Sequence, residues 1–266
     1  MTANESQSFL PRIRTDVSTL KQLRQCLAVD TVEYVYADLS VVEEYEGAYR
    51  KSQATADKYA AKSAEEYLAY RPRIIVKPPL FTGGQTGSVL LERLRRLSDY
   101  TGCADLAEHI ILLRESGFAR IVGGARLNVT NTSAARHYAE SGLSDLITSP
   151  ELNSKARLKS AIPLGFIGYG YLPLLSLCGV NDSSTDKYTD SKGVTFRAKH
   201  NENYTEVLNS VPMILSDKLG SFKGYTFTVL AFAPFETDIK RVLGDYTRSA
   251  APTGRFTRGL YFKRVS

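Results

Sequence analysis

An α/β barrel is the fold this sequence predicts, and three observations predict it. Short apolar runs recur between longer segments of helical period, as in βα units packed around a largely parallel sheet. Eight such runs can be placed, the number that closes a TIM-barrel-like (β/α) barrel. The chain has 266 residues, 43% of them hydrophobic, enough to bury one core of that size. The expectation is one barrel domain over 1–266, with room for irregularity or an incomplete circuit.

The strands expected in order are 12–14, 33–37, 73–77, 118–122, 127–129, 146–148, 165–167 and 226–231. Helical periodicity predicts helices over 17–27, 54–69, 89–97, 104–116, 133–141 and 154–161. Thr15 or Asp16 can cap the first, because a side-chain oxygen there accepts from free amides of the opening turn. Gly117 and Gly142 stop two others. Two features strain a regular barrel. Only residues 123–126 separate the strands at 118 and 127, too few for a crossover helix, so those runs form one bent strand or an antiparallel pair. The polar stretch 181–190 predicts an exposed loop insertion.

No apolar run reaches the roughly 18 residues of a membrane span. The opening residues are polar, without a basic start or apolar middle, and the expectation is a cytoplasmic protein with no membrane partner. Cys26, Cys103 and Cys178 are odd in number and widely spaced, which speaks against a disulfide framework. The net charge is +6 and the pI near 9.1. After Asp245 no acidic residue follows, while Arg248, Arg255, Arg258, Lys263 and Arg264 are interleaved with Phe256, Tyr261 and Phe262. Cations neutralise phosphates and aromatic faces stack on bases, so the tail 248–264 is a candidate RNA-binding segment with Arg258 at its centre. An edge strand with alternating exposed charges is the competing reading.

The stretch RLNVTNTSAARHYAESGLSDLITSPELN, beginning at Arg126, is followed by GFIGYGYLPLLSLC and later by GVTF and FTRGLYF. These segments, in this order, resemble those of the collagenase-like peptidases, unassigned peptidase family thirty-two. The likeness is strong from about Gly117 and weaker before it, and the chain looks most like the second, C-terminal barrel of large two-barrel members. The resemblance implies a barrel, and a role in peptidase activity or in hydroxylation of RNA bases or quinone precursors. A substrate-binding or scaffolding barrel of a peptidase is the first expectation. An RNA-binding accessory of a tRNA or rRNA base hydroxylation system is the alternative. A homologous barrel chain is an implied partner, beside peptide or RNA.

Many relatives carry an iron–sulfur cluster on four cysteines after the Leu-Pro-Leu segment. Cys178 matches the first and no cysteine follows it, so an intact cluster is not expected and Cys178 reads as its remnant. Cys178 with His200 supplies two ligands, fewer than a zinc site uses. No metalloprotease or nucleophile-elbow motif is present. His109 and His137 fall in helical segments, where a packed or solvent-facing imidazole is expected. Residues that end barrel strands face the ligand, which singles out Asn128, Asn131, Glu151, Tyr169 and Tyr171. Ordinary capping and turn roles compete with binding at these positions. The glycine cluster Gly83, Gly84 and Gly87 reads as a loop or lid.

Overall fold

The structure, a computed structural model, describes residues 10–54, 60–81, 87–178 and 185–263. The first half alternates strand and helix: β1 (Arg12–Val17), α1 (Leu20–Leu27), β2 (Val32–Asp38), α2 (Leu39–Ala54), α3 (Ala60–Tyr70), β3 (Ile74–Lys77), α4 (Gly87–Arg95), β4 (Thr101–Ala104) and α5 (Ala107–Glu115). Then come β5 (Ile121–Gly123), α6 (Thr132–Glu140), β6 (Leu146–Ile147) and β7 (Leu164–Gly170). An excursion follows through β8 (Pro173–Cys178), β9 (Lys187–Thr189), β10 (Thr195–His200), β11 (Tyr204–Leu208) and β12 (Met213–Ile214). The chain closes with β13 (Phe227–Ala231) and α7 (Ile239–Thr247).

Strands β1 to β7 pair in parallel in chain order, β13 pairs with β7, and β1 pairs with β13. The sheet is therefore a closed eight-stranded parallel barrel with helices, a TIM-like (β/α) barrel. Parallel strands buried on both faces read as near-continuous apolar runs, which is why Ile74, Ile75 and Val76 or Phe227, Val229 and Leu230 announce themselves. No helix among the described residues is long and apolar enough to cross a membrane.

Strand alternation then divides the barrel interior into layers. Arg14, Tyr36 and Phe227 fill the lower layer. The Arg14 guanidinium sits 3.6 Å from the Phe227 ring centre and 3.0 Å from Asp145. Further along the same strands, Asp16 and Asp38 two residues on and Ala231 four residues on line the open C-terminal mouth.

Several elements differ from expectation, each for a local reason. Residues 127–129 are not a strand: a 3-10 turn at Ala125–Leu127 leads to Asn128 in the left-handed region at φ 53°. The place in the barrel is taken by β4, whose Thr-Gly-Cys-Ala has too little apolar bulk to show as a strand. Gly102 there lets Leu113 of α5 pack at the backbone, since a Cβ would lie 2.8 Å from its methyl carbon. Neither Thr15 nor Asp16 caps α1, for both lie in β1; Thr19 Oγ1 accepts from Gln22 N at 3.2 Å instead. Residues 154–161 form turns rather than a helix, and α2 and α7 arise where none was expected. Gly117 and Gly142 do end their helices, with φ of 91° and 78°.

The largest departure is the excursion. Where a polar loop was expected near 181–190, of which 181–184 lie outside the described residues, β8 to β11 form an antiparallel sheet in the order β8-β11-β10-β9. Its ends meet, with Asn209 N donating to Leu172 O at 2.9 Å. The sheet is thus inserted into an intact barrel. Its β10–β11 end lies over the mouth, tied by Asn203 Nδ2 to Phe81 O at 3.2 Å and by Arg93 to Glu202 at 2.8 Å.

Candidate functional site

The mouth and the inserted sheet enclose a cavity of about 700 Å³. Its floor is made by the residues that end strands β1 to β4, one after another, because a parallel barrel points every strand's C-terminal end the same way. Lys77, at the end of β3, places its ammonium 2.6 and 2.8 Å from the two carboxylate oxygens of Asp16. The same nitrogen is 3.2 Å from Asp38 Oδ1. From the roof, Lys199 on β10 reaches Asp38 Oδ2 at 3.2 Å and Glu206 on β11 at 4.0 Å. Arg126, after β5, closes the row on Glu206.

The result is a line of alternating charge, Asp16, Lys77, Asp38, Lys199, Glu206 and Arg126, running from the barrel floor across to its roof. Burial alone would push the Lys77 ammonium down, but Asp16, Asp38 and Asp105 outweigh it and hold the pKa well above the ordinary lysine value. Burial likewise opposes ionisation of Asp38, yet Lys199 and Lys77 hold its carboxyl below the usual range. Asp16 is pushed the other way, raised by burial more than its lysine neighbours lower it. Two carboxylates on one lysine are thereby driven apart in acidity, as acid and base partners in sites often are.

Three charged lining residues stand outside this row. Asp105 and Glu151 carboxylates and the Lys263 ammonium line the cavity and make no ion pair among the described residues. Asp105 lies against Gly124, where a Cβ would fall 1.9 Å from its Oδ1. Only glycine at 124 lets this carboxylate sit there. The neighbouring thiol of Cys103 is buried, and burial together with Asp105 pushes its pKa well above the ordinary thiol value. Cys103 is therefore a protonated wall of the cavity rather than a nucleophile.

The residues singled out from sequence divide by location. Asn128, Glu151 and Tyr171 line the cavity. Tyr169 lies just beneath, donating its hydroxyl hydrogen to Glu236. Asn131 serves as the N-cap of α6, accepting from Ala134 N at 2.9 Å. Arg258 is not in the lining; it pairs with Asp217 at 2.9 Å and donates to Ile214 O at 2.8 Å. Within the basic tail Tyr261 is core, Phe256 lies under the Arg258 guanidinium at 4.8 Å, and residues 248–263 form no strand beyond one bridge from Thr257 to Met213. Arg264 lies outside the described residues, as do Gly83 and Gly84, while Gly87 opens α4.

Cys178 is exposed at the far end of β8, opposite Tyr204. His200 on β10 bonds Thr205 Oγ1 at 3.1 Å, with β11 between it and Cys178. Among the described residues no three metal-ligating side chains come together. One thiol does not fit a four-thiolate cluster.

Sequence could have exposed part of the missed row. Asp38 and Lys77 each stand at the C-terminal end of an apolar run, where a charge has no packing reason to be, while Asp16 follows the mixed run Arg-Ile-Arg-Thr and gave no such signal. Lys199 and Glu206 gave no such signal, because their place at the mouth depends on the inserted sheet. The chain matches no protein-family model, no curated protein and no solved structure.

Proposed function

We propose that the protein is a substrate-binding barrel whose C-terminal mouth takes a peptide-like ligand entering with a protonated amine. The single observation behind this is the charge arrangement of the cavity. Lys77, Lys199 and Arg126 are consumed by carboxylates, whereas Asp105, Glu151 and Lys263 form no ion pair among the described residues. An incoming ammonium can donate to the Asp105 and Glu151 oxygens, and backbone amides can meet Asn128, Tyr171 and the mixed lining. The resemblance to collagenase-like peptidases supports a peptide as the bearer of that amine.

The charge arrangement supports binding rather than cleavage. Asp16 and Asp38 could only share a water-activating proton if no cation lay between them, and Lys77 lies there. The alternative role in RNA binding draws less support, because Arg258 and Tyr261 are engaged within the fold.

Calorimetric titration with the dipeptide Ala-Val tests the reading. Binding should weaken about tenfold in Asp105→Asn and again in Glu151→Gln, the loss of a charge-assisted hydrogen bond each time. N-acetylated Ala-Val should bind as poorly as the variants. Equal binding of the acetylated and free dipeptides would remove the amine from the recognition and the proposal with it.

A further inference from the structure

The inserted sheet ends in an edge that nothing described pairs with. Strand β8 is bonded to β11 on one side only, and no backbone or side-chain hydrogen bond is formed along its other side among the described residues. Exposed edges in native proteins are ordinarily protected by charged side chains, bulges or a covering element. Here the strand reads Pro-Leu-Leu-Ser-Leu-Cys, with no charge in it, and Leu174 and Leu175 are 57% and 54% exposed. Pro173 at the first position and the register shift at Leu174 blunt the end nearest the barrel, which leaves residues 175–178 as the regular, uncharged part of the edge.

The edge is also continuous with the cavity. Leu172, Pro173 and Leu174 line the mouth, as do Leu260, which is itself 40% exposed, Glu151 and Lys263. The register places Ser176 opposite Glu206 and Leu175 opposite Val207, so Ser176 shares the face that carries the mouth's carboxylate, while Leu175 and Leu177 share the other. The Pro173 end of the strand, where the register with β11 shifts at Leu174, is the end that reaches the cavity lining.

We propose that β8 is a strand-addition site, and that its occupant is an extended polypeptide segment whose end enters the barrel mouth. Only a polypeptide presents amide donors and carbonyl acceptors at strand spacing, the chemistry an open sheet edge lacks. Apolar side chains of the incoming segment cover Leu174 and Leu175, and its leading residue reaches Glu151 and Asp105. The proposal rests on the reading that the mouth binds a peptide amine, and extends that reading outward from the cavity.

The experiment compares three probes on the intact protein by calorimetry: Ala-Val, the octapeptide Ala-Val-Thr-Val-Thr-Val-Ala-Gly, and the same octapeptide N-methylated at alternate residues on either register. The octapeptide should bind at least about tenfold more tightly than the dipeptide, and N-methylation on one register should abolish the gain, because main-chain hydrogen bonds carry strand addition. Leu175→Lys, on an exposed position away from the cavity, should remove the same gain and leave dipeptide binding as it was. Dipeptide binding with no octapeptide gain would overturn strand addition and spare the mouth. Absence of binding by every probe would overturn both. A wild-type dimer in sedimentation that Leu175→Lys converts to monomer would show β8 pairing with a second copy, and would replace the peptide as occupant.

Discussion

Lys77 is the residue on which the mouth turns, since one ammonium separates two carboxylates that strands β1 and β2 force together. Replacing it by methionine keeps most of the stem and leaves Asp16 facing Asp38. Removing one member of a buried pair is far more costly than the pair's own net worth, because the remaining charge is uncompensated. Lys77→Met should therefore lose on the order of 3 kcal/mol in urea denaturation at neutral pH. Adding Asp16→Asn should restore a large part of the loss. An undiminished midpoint in the single variant would show that water already solvates both carboxylates.

Glu236 provides a second test at this scale. Its carboxylate accepts from Tyr169 and from Ala233 N at 2.6 Å, yet burial outweighs both bonds and pushes it up to about 7 from an ordinary 4.5. A carboxyl raised in the folded state binds its proton more tightly folded than unfolded, so stability falls as pH rises. The contribution is complete below about 4.5 and is lost by about 7. Glu236→Gln imitates the protonated form. It should flatten this part of the stability profile and exceed the wild type at pH 8 by on the order of 1 kcal/mol. Parallel profiles for the two proteins would mean that Glu236 titrates normally.

Among the elements, β7 and β13 show how closely the barrel staves are fitted. Gly165 on β7 faces Phe227 of β13, and a Cβ at 165 would fall 2.1 Å from the ring. The ring has little room to retreat, since the Arg14 guanidinium packs over it at 3.6 Å. Gly165→Ala should cost about 2 kcal/mol by overpacking, read as a lower urea midpoint with an unchanged slope. Gly193, at φ 77° with open space around it, is a turn glycine, and its loss would act through the backbone alone. The element that sequence missed, β4, follows the same logic as Gly165: its residues are small because α5 and the mouth lie close against it, and small residues carry little strand signal.

At the scale of the whole molecule, the barrel and the inserted sheet are topologically separable and meet at the cavity. The barrel circuit closes through β7 and β13 without any strand of the inserted sheet. Leu172 and Asn209 are already hydrogen-bonded to each other, so a two-glycine link can replace 173–208. The shortened protein should melt in one cooperative transition with helical content retained, and should fail to bind Ala-Val, having lost Lys199, Tyr204 and Glu206 from the roof. A broad, non-cooperative melt would make the inserted sheet part of the barrel's folding unit.

The sequence by itself determined the closed parallel barrel, because strands buried on both faces must be apolar in unbroken runs, and seven of the eight runs named fall on barrel strands. It also pointed to the strand ends, and so to Asn128, Glu151 and Tyr171 in the cavity wall. Only the tertiary structure decided that the charged row exists. Asp16, Lys77 and Asp38 come from successive strands, but Lys199, Glu206 and Arg126 meet them across separations that no local pattern encodes. It decided too that Arg258 and Tyr261 serve the fold, since ion pairing and burial depend on what stands opposite. Periodicity reports which way a side chain points relative to its own backbone; what it meets there is set by closure of the barrel and by the sheet laid over its mouth.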